Sequence, residues 1–310
     1  MKKNLVRLLI FLGIVLALDK VIGVVCQKLY VRSNEYTVRK LRYTLDSTRQ
    51  EILVLGSSRA EHHFIPNIIS QSTGMTTYNC GFAGEGFLFS LIQLNETLKR
   101  YTPRFVVIEA SPSTLSLPNP EESLKLLLPY YKRDSLIYNA LTGNGYFEHL
   151  KFASSIYPYN STIASLISGN LKRGSDTLNG FKPLDGTIDT SGVAARMNAT
   201  FVNPYPPEKF VTLKEIISTC RQRNIPVAVV NSPVYLTNTV HDQVSNQIKA
   251  ICAQYPNAVY LDYSKLDSLY VQGQYFKDYS HLNSAGAAIF TRALSKDLAE
   301  QIRAKTYAKR

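Results

Sequence analysis

The stretch EILVLGSSRAEHHF, residues 51–64, sets four apolar residues, Ile52 to Leu55, directly against a glycine and two serines. A short unalternated Val/Ile/Leu run is what a strand covered on both faces requires, and a small-residue turn after it is where such a strand gives way to a helix. Two readings of the serines compete: polar residues of an ordinary strand-to-helix turn, or a nucleophile presented at the strand tip. Junctions of this kind are common, so the rest of the chain decides between them.

The same pattern recurs downstream. ILVLG (52–56), TTYNC (76–80), RFVVIEA (104–110), PVAVVNS (226–232) and AVYLDY (258–263) read as strands. Helical patterns lie between or after them at 86–101, 207–224 and 283–302, with Asn283 or Ser284 placed to cap the last. This alternation predicts an α/β fold with a doubly wound, flavodoxin-like, five-stranded parallel sheet whose ligands gather at the carboxyl ends of the strands. Residues 114–205, rich in Tyr, Asn, Ser, Gly and Pro, break the alternation and are too long for an ordinary connection. They are expected to form a helical and irregular insertion over the strand ends, its tyrosines packing among themselves more readily than stacking on sugar rings. NPYPP at 203–207 reads as a rigid entry into the next helix.

The amino terminus, MKKNLVRLLIFLGIVLALDKVIGVVC, places Lys2, Lys3 and Arg7 before an apolar run from Leu8 to Leu18 that Asp19 and Lys20 interrupt and VIGVVC resumes. No small-x-small cleavage site follows, so residues 1–26 are read as an uncleaved membrane anchor. Asp19 and Lys20 then belong near the far interface or beside a partner group. A basic connector (27–49) leads into one domain over residues 50–310. The positive-inside rule favours a cytoplasmic amino terminus and an extracytoplasmic domain, although KLYVRSNEYTVRKLR after the span is also basic.

With 310 residues and 45% hydrophobic content, the chain can bury a full core. The net charge of +12 is scattered, concentrated in residues 2–50 and the carboxyl-terminal tail, and accompanies no recognition-helix or stacking motif. Nucleic acid is therefore set aside in favour of anionic lipid or an acidic envelope polymer. Cys26, Cys80, Cys220 and Cys252 have no ligand spacing, no His/carboxylate cluster suggests a metal, and no cofactor is expected. Cys220 and Cys252 flank one predicted strand, where separate buried thiols are favoured over a disulfide.

Near the carboxyl end, FKDYSHLNSAGAAIF holds Asp278 and His281 three residues apart in a loop leading to the last helix. Asp278 can hold Nδ1–H of His281 and leave Nε2 as a base. In a doubly wound sheet this loop and the turn after the first strand open on one edge, so Ser58 and His281 can face each other. Arg59, His62 and His63, on the turn after the serine, are explained more simply as side chains of a helix start, and Glu85 and Glu109 have no assigned partner.

Gly56-Ser57-Ser58 after ILVL, NCGFAG after the second strand and DYSHLNSAG near the end resemble, in this order, the first, second and fifth blocks of the SGNH/GDSL hydrolase superfamily. The resemblance implies Ser58 as nucleophile, Asp278 and His281 as its partners, Asn79 as a structural residue, and the N–H groups of Ser58 and Gly84 as oxyanion donors. One block departs: VIEASPST leaves Ser113 where the family has an oxyanion Asn, with Ser111 a second candidate. Loss of one oxyanion donor costs on the order of 10²- to 10³-fold in rate. Together with the amino-terminal span, the departure resembles the membrane-anchored SGNH-like proteins of bacterial envelope acylation, the teichoic acid D-alanylation and alginate O-acetylation types. That resemblance implies a serine esterase or O-acyltransferase acting on a cell-envelope glycan beside a membrane-bound O-acyltransferase. The rivals are a plain carboxylesterase or lipase, and a catalytically weak domain that binds envelope polymer.

Overall fold

The computed structural model describes residues 2–116, 124–143, 145, 147–171, 178–191, 207–237 and 239–307; the stretch 203–206 of the proposed rigid entry lies outside them. The chain divides into two compact units, Met1–Tyr43 with Glu121–Asp176, and Thr44–Pro120 with Thr177–Arg310.

The larger unit is built on five parallel strands: β1 (Ile52–Leu55), β2 (Thr77–Asn79), β3 (Phe105–Glu109), β4 (Val227–Asn231) and β5 (Ala258–Asp262), in the order β2-β1-β3-β4-β5. β1 is central, with Ile52 opposite Thr77 on one side and Phe105 on the other. Every residue of β1 to β4 is buried, which is why these strands read as continuous apolar runs, while the edge strand β5 is only half covered. Alternate side chains Ile52, Val54, Phe105, Val107, Ala228 and Val230 form one face of the sheet. They pack under α3 (Ser58–His63), α4 (Pro66–Thr73) and the long α12 (Ser284–Tyr307), through Phe64, Ile69, Phe290, Leu294 and Leu298. α5 (Phe87–Leu98) and α10 (Pro207–Gln222) pack on each other, and α6 (Pro112–Ser116) and α11 (Thr239–Cys252) complete the helices of this unit. Phe181, from the segment 178–191, is buried in the same core.

Asn283 caps α12 as expected: its Oδ1 accepts the Gly286 N–H at 3.1 Å, while its amide donates to the carbonyls of Gly186 and Gln274. Cys220 and Cys252 are separate buried thiols, their pKa values pushed up to about 12 by burial.

The smaller unit holds α1 (Lys2–Arg32), α2 (Tyr36–Arg42), a 3₁₀ turn at Leu124–Tyr130, α7 (Ser135–Thr142), α8 (Glu148–Lys151) and α9 (Ile163–Leu171). Its core is Cys26, Tyr30, Val38, Tyr159 and Leu166, with Tyr30 ringed by Tyr130 and Tyr159. The tyrosines of the insertion thus pack largely against one another and against α1. α1 is long and apolar enough to cross a membrane, a property shared by anchors and signal sequences, and its apolar side chains from Leu5 to Leu18 are exposed.

Candidate active site

At the carboxyl end of β1 the chain must turn sharply over the sheet. Gly56 does so at φ +140°, where a Cβ would lie 2.9 Å from Glu109 Cβ and 3.0 Å from Ala60 Cβ, so both conformation and space demand glycine. Ser57 follows in extended geometry and α3 begins at Ser58. The two serines then part company. Ser57 is buried and its Oγ has no hydrogen-bond partner among the described residues, whereas Ser58 Oγ lies 2.8 Å from Nε2 of His281.

His281 reaches this point from a loop that organises itself. Phe276 and Leu282 form an antiparallel bridge, and the Lys277 N–H donates to the His281 carbonyl at 2.8 Å. Within that loop Asp278 Oδ1 accepts the N–H groups of Ser280 and His281, each at 2.9 Å, an Asx-type turn that fixes the carboxylate. His281 Nδ1 then lies 3.0 and 2.9 Å from the two Asp278 oxygens. Burial would raise the Asp278 pKa, but the hydrogen bond and charge of His281 and the two backbone N–H groups outweigh it, holding the carboxyl at about 2. Asp278 is therefore ionised at neutral pH and holds the Nδ1–H tautomer, leaving the Nε2 lone pair toward the Ser58 hydroxyl. The pair is accessible, with 23% of the His281 side chain and 45% of that of Asp278 exposed.

The second block shapes the adjoining wall. Asn79, fully buried, donates its amide to the carbonyls of Ala60 (2.7 Å) and Phe64 (2.8 Å) and accepts the Gly81 N–H (2.9 Å). It ties α3 to the 80–84 turn and serves structure, as the resemblance implies. A Cβ at Gly81 would come within 2.6 Å of Ala60 Cβ and Glu61 N, so the turn sits hard against α3. Glu61 Oε2 accepts the Ala83 N–H at 3.2 Å, and Gly84 follows at φ +84° with nothing within 4 Å of where a Cβ would stand. Ser113 lies in α6, and its side chain is outside the described part of the structure. Ser111 is buried, its Oγ 3.2 Å from that of Thr114, whose hydroxyl in turn donates to Glu109 at 2.7 Å.

Beneath the serine lies a network that sequence reasoning did not assemble. Arg59, only 2% exposed, extends under the site to Glu109 at 3.5 Å, to Ser232 Oγ at 3.1 Å, and to the carbonyls of Ser232 and Pro233. Ser232 donates to Glu109 at 3.2 Å, and His63 Nδ1 lies 3.0 Å from the same hydroxyl. The tautomer of His63 follows from its other nitrogen. Nε2 accepts the Leu282 N–H at 3.0 Å, so Nδ1 carries the proton and donates to Ser232. Ser232 thus gives one hydrogen bond and receives two, its full capacity. Burial, then the nearby Arg59, pushes the His63 pKa well down, keeping it a neutral relay between α3 and the residue after His281. His62 donates Nδ1–H to the Lys182 carbonyl at 2.7 Å and meets the His281 ring edge to face at 5.7 Å; burial lowers its pKa as well. These three residues are packed, not solvated, and a signal for the pair existed. Glu109 ends β3 and Arg59 opens the helix that follows the neighbouring strand β1, and a charge buried at such a place calls for its opposite.

Among the described residues, no group of His, Cys, Asp and Glu is arranged to hold a metal ion. No family model matches the chain, and no curated protein matches it. Solved structures do. One, provisionally described as a platelet activating factor from Streptococcus pneumonia, is 12% identical with TM-score 0.45 over 91% of this chain and 98% of its own. A second, provisionally a lipolytic protein of the G-D-S-L family from Desulfitobacterium hafniense DCB-2, is 10% identical with TM-score 0.41, covering 81% and 98%. A third, provisionally an acylhydrolase from Bacteroides fragilis, is 12% identical with TM-score 0.43, covering 84% and 96%.

Proposed function

We propose that the chain is a membrane-anchored serine esterase or O-acyltransferase of SGNH type, its larger unit outside the cytoplasm, acting on acyl esters of a cell-envelope polysaccharide. The observation that carries the reading is the hydrogen-bonded series Ser58 Oγ, His281 Nε2 at 2.8 Å, His281 Nδ1 and Asp278, with Ser58 and His281 223 positions apart and the pair open to solvent.

In this reading Ser58 attacks the ester carbonyl and its proton passes to His281 Nε2, while Asp278 steadies the imidazolium. The backbone N–H groups of Ser58 and Gly84 receive the developing oxyanion, with Ser113 as a third donor. Collapse of the adduct expels the alcohol, which takes the proton from His281 and leaves Ser58 acylated. Water or a sugar hydroxyl then gives a proton to His281 and attacks the acyl-serine, releasing acid or a new ester and restoring the serine. Transfer to a sugar fits a neighbouring membrane-bound O-acyltransferase as the source or recipient of acyl groups.

The serine at position 113 favours a second reading, a catalytically weak domain that binds envelope polymer and supports such an acyltransferase. Incubation of the detergent-solubilised chain with a short-chain nitrophenyl ester and an O-acetylated oligosaccharide separates the two. Acyl release that vanishes in Ser58→Ala supports catalysis, and acylation of an added oligosaccharide distinguishes transfer from hydrolysis. A wild-type chain that binds the oligosaccharide without releasing acyl groups supports the second reading.

A further inference from the structure

The smaller unit carries a surface that the site does not use. Phe147 and Leu150, on and just before the single turn of α8, are 68% and 65% exposed, large apolar side chains one helical turn apart. Their position along α1 is fixed by the residues that follow. Ser154 Oγ and Ser155 N donate to the Asp19 carboxylate at 2.5 and 2.7 Å, and Lys20 Nζ donates to Ser155 Oγ at 2.9 Å. Gly23, one turn on, lets Ser155 approach so closely that a Cβ would lie 2.4 Å from Ser155 Cβ. The turn after α8 is thus seated on α1 at residues 19–23.

At 1.5 Å per residue, about 20 residues cross a hydrocarbon core of about 30 Å. Counted from Leu5, the crossing ends near Val24, so the Asp19–Gly23 saddle lies within about 8 Å of the acyl-to-headgroup boundary. This accounts for a carboxylate inside an apolar helix: its charge is met by a hydroxyl, a backbone N–H and Lys20 at the depth where it would otherwise be costly. It also places α8 at that depth.

A second observation is independent of the counting. Tyr131 stacks on Phe152 at 4.4 Å, Tyr138 and Tyr157 flank the same ring, and Lys132 and Lys151 lie over the rings of Tyr131 and Tyr157. Tyr138 Oη meets His149 of α8 at 2.9 Å, and tyrosines backed by lysines beside a turn with exposed apolar side chains are the chemistry of a membrane interface. By contrast α9 meets α1 at its far end, where Asn34 N donates to the Gly169 carbonyl and Asn170 to that of Leu29. That contact is about 10 residues, hence about 15 Å, farther along the helix.

We propose that α8, through Phe147 and Leu150, is a second membrane contact, a foot inserted into the interfacial layer beside α1. The inference rests on the anchor reading of α1. The foot gives the unit a fixed rotation and height that a single helix cannot.

The chain contains no tryptophan, so one introduced indole reports alone. Phe147→Trp, Leu150→Trp, Leu171→Trp and Leu12→Trp are reconstituted as full-length chains in phosphatidylcholine/phosphatidylglycerol vesicles carrying acyl-chain-brominated lipid. The first two replace exposed side chains and leave packing unaltered. The expected result is blue-shifted, quenched emission at 147 and 150 at a depth of about 5–10 Å into the headgroup/acyl boundary, strong quenching at 12, and none at 171. Quenching at 12 without quenching at 147 and 150 overturns the foot and leaves the anchor standing; it is the result expected if a protein partner covers these side chains. No quenching at 12 overturns the anchor and the foot with it, and quenching at 171 equal to that at 147 overturns the assigned depth.

Discussion

The nucleophile and the base of the site come from regions built in different ways. The turn that carries Ser58 is buried and held from a distance: Asn79 grips the carbonyls of Ala60 in α3 and Phe64 just after it, Gly56 and Gly81 allow close approach, and Arg59 is clamped by Glu109 and Ser232 from β3 and the end of β4. The loop that carries His281 is half exposed and held by its own atoms, with Asp278 accepting from residues two and three positions on. The two regions meet at the Ser58–His281 hydrogen bond and at His63, which accepts the Leu282 N–H and donates its Nδ1–H to Ser232. A rigid nucleophile thus faces a base whose local loop is registered against it by a neutral imidazole. Damage on the nucleophile side should appear mainly as lost stability, and damage on the base side as lost rate.

The largest effect is expected on the base side. Asp278→Asn keeps the size of the side chain and loses the charge that selects the Nδ1–H tautomer. Ester turnover is expected to fall by ~10⁴-fold, the order found when a triad carboxylate becomes an amide, with the melting temperature lowered less than in Arg59→Met. Equal loss of both would contradict the division.

On the nucleophile side, Arg59→Met leaves Glu109 buried without its cation. Breaking such a pair costs about 3–5 kcal/mol, read as a lowered midpoint in chemical denaturation. A variant as stable as the wild type would show that Ser232 and Thr114 suffice for the carboxylate.

His63→Leu tests the link itself. Loss of the acceptor for Leu282 N–H lets the base loop drift, and misplacement of about 1 Å costs ~10²-fold in kcat. KM is expected to stay fixed, since His63 is buried behind His281 and touches no substrate; a change in KM alone would assign it another role.

The smallest effect concerns pH. His63 binds its proton less readily in the folded chain than at the ordinary imidazole value of 6.5, and burial holds His241 at about 4. The unfolded chain takes up these protons first, so the stability is whole above pH 6.5 and lost progressively below it. Asp278, held at about 2 against an ordinary 3.8, contributes in the same direction lower down: its share is present above 3.8 and lost as pH falls toward 2. Melting curves should therefore fall in two stages, and His63→Leu should flatten the upper one.

Much of this architecture is legible in the sequence. Five apolar runs became strands within one or two residues of their expected ends, because strands covered on both faces leave no polar periodicity to mislead. Asp278 and His281 are legible because their contact is local. The relay of Arg59, Glu109, Ser232 and His63 joins positions as many as 173 apart, and its register depends on strand order, which no local pattern encodes. The seating of Ser154 and Ser155 on Asp19, 135 and 136 positions away, is hidden for the same reason. The family resemblance alone chooses Ser58 over Ser57 in the sequence, and the physical reason lies in one residue of register at the start of α3, which buries Ser57 and brings Ser58 Oγ to His281.

Covalent labelling tests the central claim most directly. The detergent-solubilised chain is treated with a fluorophosphonate and the modified peptide identified by mass spectrometry. The modification is expected on Ser58, surviving Ser57→Ala and abolished by Ser58→Ala and His281→Ala. Modification of Ser57, or labelling unaffected by the loss of His281, would contradict the account.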